Sequence, residues 1–157
     1  MTDIISAVKA SASMPVMSKM IDVEGRKYLD GGISTSIAYK RAFDVGYSKA
    51  IVVLTREEGY RKKPVNKINE SIYRRYFKPL PNLVEKLMTV PERYNKMQEE
   101  MEELAKEGKL LIIRPQNKVT VQRLEQSSVK LEKLYNEGYE EGVKNIENIK
   151  GFITLKF

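Results

Sequence analysis

The sequence predicts an α/β fold, and three observations carry the prediction. Ala50-Ile51-Val52-Val53-Leu54 is a short, continuous apolar run rich in β-branched residues. That is the pattern of a strand covered on both faces, as in a parallel sheet. Leu110-Leu111-Ile112-Ile113 repeats the pattern and is terminated by Pro115. The intervening sequence is charged and helical in period, and strands that alternate with helices favour a parallel sheet. The expected architecture is a few mostly parallel strands plus a hairpin, with a mainly helical C-terminal half. At 157 residues the chain is one domain or part of a larger one. It divides into a segment 1–64, with the hairpin and the first buried strand, and a mainly helical segment 65–157 with one further strand.

Each element has a local reason. Ile4 to Ala12 is a short helix, closed by Pro15, whose ring cannot continue it. Lys19 to Leu29 is a hairpin: Ile21 and Val23 alternate with polar neighbours, and Glu24-Gly25 tolerates positive φ at the turn. A helix should follow, with N-cap hydroxyls at Ser34, Thr35 and Ser36, an inner face of Ala38, Ala42 and Val45, and Gly46 as its stop. Lys67 to Phe77 can form another. Asn82 can cap the next, which Pro91 should interrupt or kink. Tyr94, Met97, Met101 and Leu104 then recur at helical spacing up to Gly108, a stripe better explained as core than as an adaptable binding surface. The last helix is expected from about Ser128 to Asn148, with Leu131, Leu134, Tyr135 and Gly138 facing inward. Gly151 to Leu155 is suited to an edge strand.

Composition narrows the chemistry. The chain has no cysteine, so disulfides and thiolate metal sites are excluded. It has no histidine, so neither a Ser-His-Asp nor a Cys-His arrangement can be built within it, nor a histidine-rich metal site. Acid-base work near neutral pH falls to a carboxylate, lysine or tyrosine of shifted pKa, or to a metal-bound or substrate group. No resident metal or cofactor is expected. No apolar run approaches the roughly 20 residues that span a bilayer, and the N-terminus lacks a secretory pattern. The expected location is cytoplasmic, with peripheral membrane association allowed.

The net charge of +7 is concentrated. Between Arg56 and Lys78 eight basic residues face only Glu57, Glu58 and Glu70. Arg61, Lys62, Lys63, Arg74 and Arg75 are the candidates for contact with an anionic surface. The other reading of this stretch is a solvated helix face and loop. Nucleic acid is not expected, because neither an RNA-binding aromatic signature nor zinc spacing is present.

One constellation carries a mechanism. Tyr28-Leu29-Asp30-Gly31-Gly32 places a carboxylate at a strand end, before two glycines that let backbone approach a ligand closely. Alone, Asp-Gly-Gly is more often a tight turn. Its context is more specific: Lys9-Ala10-Ser11-Ala12-Ser13-Met14-Pro15, then the hairpin, then Asp30-Gly31-Gly32 and Ile33 to Ile37. Gly46-Tyr47, Ile51-Val52-Val53-Leu54-Thr55-Arg56, Gly59-Tyr60-Arg61-Lys62-Lys63-Pro64 and Ile113-Arg114-Pro115 continue the order. In these segments the chain resembles the patatin-like phospholipase family, in a bacterial branch, closely over residues 9–64 and loosely beyond.

The resemblance implies part of a three-layer patatin-like fold and a Ser-Asp dyad. In that family a serine in a Gly-x-Ser-x-Gly elbow attacks an acyl ester, and a glycine-rich loop stabilises the oxyanion. The aspartate acts directly on the serine without histidine, which suits a chain that has none. By position Asp30 is the implied catalytic aspartate, on a loop shaped by Gly31 and Gly32, with a lipid or other acyl ester as substrate. Such proteins carry the serine well before the aspartate, yet only 29 residues precede Asp30 and none forms Gly-x-Ser-x-Gly. Ser34 and Ser36 are better explained as capping residues. The expectation is therefore a portion of a longer hydrolase, whether a truncated product, half of a split frame or a cloned segment. The isolated chain should then be inactive and should tend to self-associate or to pair with the missing part. The alternatives are a non-catalytic basic module docking on anionic membrane or protein, and an inactive remnant serving as an interaction partner.

Overall fold

A computed structural model describes residues 3–122 and 124–154. The helices are α1 (Ile4–Ser11), α2 (Lys40–Asp44), α3 (Lys67–Tyr76), α4 (Pro81–Lys106), α5 (Ser128–Lys144) and α6 (Ile146–Ile153). The strands are β1 (Ile21–Val23), β2 (Arg26–Tyr28), β3 (Ala50–Val53) and β4 (Leu110–Ile113). The fold is mixed α/β with more helix than strand. The chain forms two compact units: one from the N-terminus to Ala38 together with Arg61–Gln98, the other Tyr39–Tyr60 together with Glu99 onward.

In the first unit, Asp3 caps α1 by accepting from the backbone N–H groups of Ile5 and Ser6. A further bond from the Ser6 hydroxyl is the main reason its carboxyl is held below the usual range. The hairpin forms where expected, antiparallel, with Ile21 opposite Tyr28 and Val23 opposite Arg26. Glu24 (φ 53°) and Gly25 (φ 76°) both adopt the left-handed conformation that a tight two-residue hairpin turn demands. The core joins Ile33, Phe77, Val84 and Leu87, with Met20, Leu29 and Tyr73 packed against it.

The helix expected from Ser34 starts later. A 3-10 turn occupies Gly31–Ile33, and α2 begins only at Lys40, with Tyr39 at its cap and no side-chain cap bond. The reason lies in the acceptors. The Arg93 guanidinium donates to the carbonyls of Ile33 and Ser34, which a continuous helix would need for Ile37 and Ala38. The Ser36 hydroxyl donates to the carbonyl of Gly32 instead of capping a helix. Gly46, at φ 97°, ends α2 as expected.

Pro91 does not interrupt its helix, for α4 runs unbroken through it over 26 residues. Proline removes one backbone donor, and side chains supply others nearby. Thr89 donates its hydroxyl to the carbonyls of Glu85 and Lys86, and Arg93 donates to Lys86 as well. The helix begins with Pro81 inside its first turn, where a missing N–H costs nothing, so Asn82 is not its cap.

In the second unit β3 and β4 pair in parallel, from Ala50 opposite Leu110 to Val53 opposite Ile113. Cover on both faces is not complete: Val52 and Leu54 are buried, whereas Val53 is 72% exposed. Alternate side chains of a strand point to opposite faces, so on its face of this two-stranded sheet Val53 stands outward while its neighbour Ile113 is buried. The methionine stripe is core, as expected: Met101 is fully buried, Tyr94 buried, and Met97 and Leu104 half-buried.

The C-terminal helix ends early and faces differently than expected. Asn145 separates α5 from α6, its side chain bonding the Glu141 carbonyl. Of the expected inner face only Leu134 is half-buried, while Leu131, Tyr135 and Gly138 are exposed. The expected edge strand is helical as far as Ile153, because Ile146, Ile149, Phe152 and Ile153 recur at helical spacing. Leu155 lies outside the described residues. No helix among the described residues is long and apolar enough to cross a membrane.

Tyr39 is buried and donates its hydroxyl to Glu100 at 2.9 Å, where Lys40 also reaches. Burial first, and the Glu100 carboxylate second, push the phenol well above the ordinary tyrosine range. The folded state therefore keeps this proton after the unfolded chain has lost its own. Its contribution is complete below the unfolded value of about 10 and is lost as pH rises above it. Unfolding free energy measured by denaturant titration should fall above about pH 10, and more gently in Tyr39→Phe; equal slopes would remove Tyr39 as a cause.

Candidate functional site

Asp30 lies two residues beyond the end of β2 and is half-buried. Its backbone N–H donates to the carbonyl of Ser13 at 2.8 Å, which ties the strand exit to the segment after α1. Ser13 is itself buried, with its hydroxyl turned back onto the carbonyl of Lys9. Of the small residues from Ala10 to Ser13, Ala10 and Ser13 are buried and pack closely, while Ser11 and Ala12 are exposed.

The carboxylate is asymmetric. Oδ1 accepts from the N–H of Gly32 at 2.7 Å and caps the 3-10 turn. Oδ2 makes no hydrogen bond to any of the described residues. One oxygen is therefore anchored while the other remains able to accept a proton or a hydroxyl donor. Leu29 and Gly31, which flank Asp30, line a cleft of about 680 Å³ between α1 and the hairpin. Its walls are mainly apolar, from Ala7, Ala10 and Val23, with Arg26, Glu24 and Tyr28 supplying polar groups.

The two glycines do different work. A Cβ at Gly32 would sit 3.0 Å from Asp30 Oδ1, tighter than ordinary contact. A Cβ at Gly31 would meet only the Ser11 hydroxyl at 3.5 Å, an ordinary distance. Only Gly32 is sterically required for the carboxylate to close onto the backbone.

Arg93 is a supporting residue that motif reading missed. It holds the Ile33 and Ser34 carbonyls just past the Asp-Gly-Gly turn from a position in α4 about 60 residues away in sequence. Nothing in local spacing marks it. Among the described residues no group of three acidic side chains is placed to hold a metal ion.

The basic candidates separate on inspection. Arg74 is paired with Glu70 one helical turn away, through both Nε and Nη2. The Lys62 ammonium lies 4.2 Å from the centre of the Tyr94 ring, and its backbone N–H and C=O are both bound by the Asn95 amide. Those contacts make Lys62 and Arg74 partly structural. Arg61, Lys63 and Arg75 are exposed.

Comparison with known families finds one match. Residues 80–154 are similar to a family described as "Domain of unknown function (DUF6363)". The matched stretch takes in α4, β4, α5 and α6, and it leaves Asp30 outside. No curated protein and no solved structure matches the chain.

The geometry around Gly32 gives a direct test. Gly32→Ala should push the Asp30 carboxylate off its N–H partner and cost about 1 kcal/mol, as loss of a cap does, whereas Gly31→Ala should be close to neutral. Urea unfolding of both variants measures this; equal costs would show that the carboxylate–Gly32 bond does not set the turn.

Proposed function

We propose that the chain is the aspartate-bearing portion of a patatin-like serine acyl hydrolase, with Asp30 as the base of a Ser-Asp dyad. The observation that carries the reading is the divided carboxylate, with Oδ1 fixed by the Gly32 N–H and Oδ2 left open. A dyad base needs that division: a fixed orientation on one side, and a free acceptor for the nucleophile's proton on the other. The order of motifs around it supports the same assignment: the small-residue segment, the hairpin, Asp-Gly-Gly, then a buried strand.

In this reading the serine and the oxyanion donors come from sequence other than these residues, since no Gly-x-Ser-x-Gly occurs here. The substrate is an acyl ester of the lipid type, with the apolar walls beside Asp30 available to an acyl chain. Arg93 and Ser13 position the aspartate and take no part in the chemistry. The chain would work in association with the part that bears the serine.

The experiment is a paired one. The 157-residue chain alone should hydrolyse short-chain nitrophenyl esters no faster than background, because a base without a nucleophile has nothing to activate. When the chain is joined to a segment carrying Gly-x-Ser-x-Gly, hydrolysis should appear. There Asp30→Asn should lower turnover by about 10²–10⁴-fold. The asparagine oxygen still accepts from Gly32, so the turn is kept and the loss is chemical. Near-normal turnover in that variant would reduce Asp30 to a turn residue, and robust turnover by the chain alone would require another nucleophile.

A further inference from the structure

The core of the first unit takes only one side of α3. Phe77, just past the helix, is buried and Tyr73 packs half-buried beside it. On the other side Ile68, Ile72 and Tyr76 stand exposed, at 72%, 41% and 56%. They recur every fourth residue, so they form one outward stripe along the whole helix. A surface helix normally turns polar residues to water; this one turns two isoleucines and a tyrosine.

Cations border that stripe. Lys67 and Arg75 lie along one flank of α3, and Lys78 follows its C-terminal end. None of the three makes an ion pair with a described residue, and the helix's one carboxylate, Glu70, is occupied by Arg74. The stripe runs at Tyr76 into a groove of about 360 Å³, whose apolar floor includes Met20, Phe77 and Leu80. Lys19 and Lys27 stand at this groove, likewise without ion pairs to described residues. The facing carboxylate, Asp22 opposite Lys27, already accepts the N–H of Gly25.

We infer that this face of the first unit, the α3 stripe with its adjoining groove, docks on an anionic lipid bilayer. Ile68, Ile72 and Tyr76 enter the boundary between headgroups and acyl chains, and Lys19, Lys27, Lys67, Arg75 and Lys78 meet the lipid phosphates. The occupant follows from the two chemistries together. Cations alone would fit any polyanion, and an apolar stripe alone would fit another helix. Aliphatic side chains ringed by ammonium and guanidinium groups fit a surface that is anionic outside and hydrocarbon beneath. The inference does not rest on Asp30 or on any hydrolytic activity.

The chain contains no tryptophan, so Tyr76→Trp supplies a single reporter at the middle of the face. With vesicles of phosphatidylglycerol and phosphatidylcholine its emission should shift to the blue and be quenched by lipids brominated on the acyl chain. Co-sedimentation of the unmodified chain should favour these vesicles over pure phosphatidylcholine by about tenfold or more. Raising salt from about 0.1 to 0.5 M should weaken binding without abolishing it, because screening acts on the charges and leaves the inserted side chains. Ile68→Ser with Ile72→Ser should remove the salt-resistant part and lower binding about tenfold. Lys67→Gln, Arg75→Gln and Lys78→Gln together should erase the preference for anionic lipid. All the substituted positions are exposed, and unchanged melting curves confirm that the variants fold. Absence of binding to anionic vesicles overturns the proposal, as does indole emission from the Tyr76→Trp variant that lipid bromines leave unquenched. Binding that salt abolishes completely and that heparin matches would assign the face to a soluble polyanion and overturn it equally.

Discussion

The Arg93 guanidinium is the contact on which the arrangement around Asp30 depends. It donates to the carbonyls of Ile33 and Ser34 and, within its own helix, to that of Lys86. Hydrogen bonds to a charged group are worth roughly 1.5–3 kcal/mol each when partly shielded from water, and guanidinium geometry allows several at once. The result is a clamp from α4 onto the turn that follows the Asp-Gly-Gly sequence. Ile33 is at the same time a member of the core with Phe77, Val84 and Leu87. The turn is thus held by its backbone through Arg93 and by its side chain through the core. A loop fixed from both sides can carry a carboxylate in one orientation, which surface loops generally cannot.

The clamp also decides local structure. The Ile33 and Ser34 carbonyls are turned to Arg93 rather than along a helix, and the chain passes from a 3-10 turn to α2 with irregular backbone between. The same side chain lies two residues after Pro91, where a helix needs extra donors. One arginine thus bonds both a turn and the Lys86 carbonyl, next to the Leu87 carbonyl whose helical donor Pro91 lacks. Replacing it by lysine would keep the charge but lose the planar fork that reaches two successive carbonyls.

Much of this was legible in the sequence, and the misses have a common cause. The hairpin, the two apolar strands, their parallel pairing, the glycine helix stops and the buried Tyr94–Met101 stripe follow from short-range patterns of period and turn chemistry. Asp30 stood out because of the order of segments around it, since Asp-Gly-Gly alone is more often a tight turn. The late start of α2, the continuity of α4 through Pro91 and the role of Arg93 were not legible. Each depends on a partner tens of residues away, and hydroxyl caps at Ser34 to Ser36 look alike whether or not the carbonyls beyond them are free. The inward face expected for α5 failed for a related reason: periodicity identifies an apolar stripe but not what lies against it. Leu131 and Tyr135 have helical spacing and are exposed nonetheless.

Exposed apolar stripes on α3 and α5 look alike by spacing, and charge is what separates them. The α3 stripe is bordered by cations without ion pairs to described residues, and its single acid is neutralised within the helix. On α5, Tyr135, Tyr139 and Val143 share the helix with Glu132, Glu137, Glu140 and Glu141 against Lys130, Lys133 and Lys144. That excess of carboxylate would be repelled by lipid phosphate at the distance where apolar side chains could insert, since unscreened charges interact over roughly 8–10 Å. The same apolar surface is therefore suited to a bilayer in one helix and ill-suited in the other. The β3 edge, with Val53 outward, carries no charge of its own and takes its preference from strand geometry alone: its outward N–H and C=O groups can be satisfied by water or by another strand, but by no lipid. Hydrophobic exposure by itself thus says only that something apolar fits. Bordering charge and backbone polarity say what does.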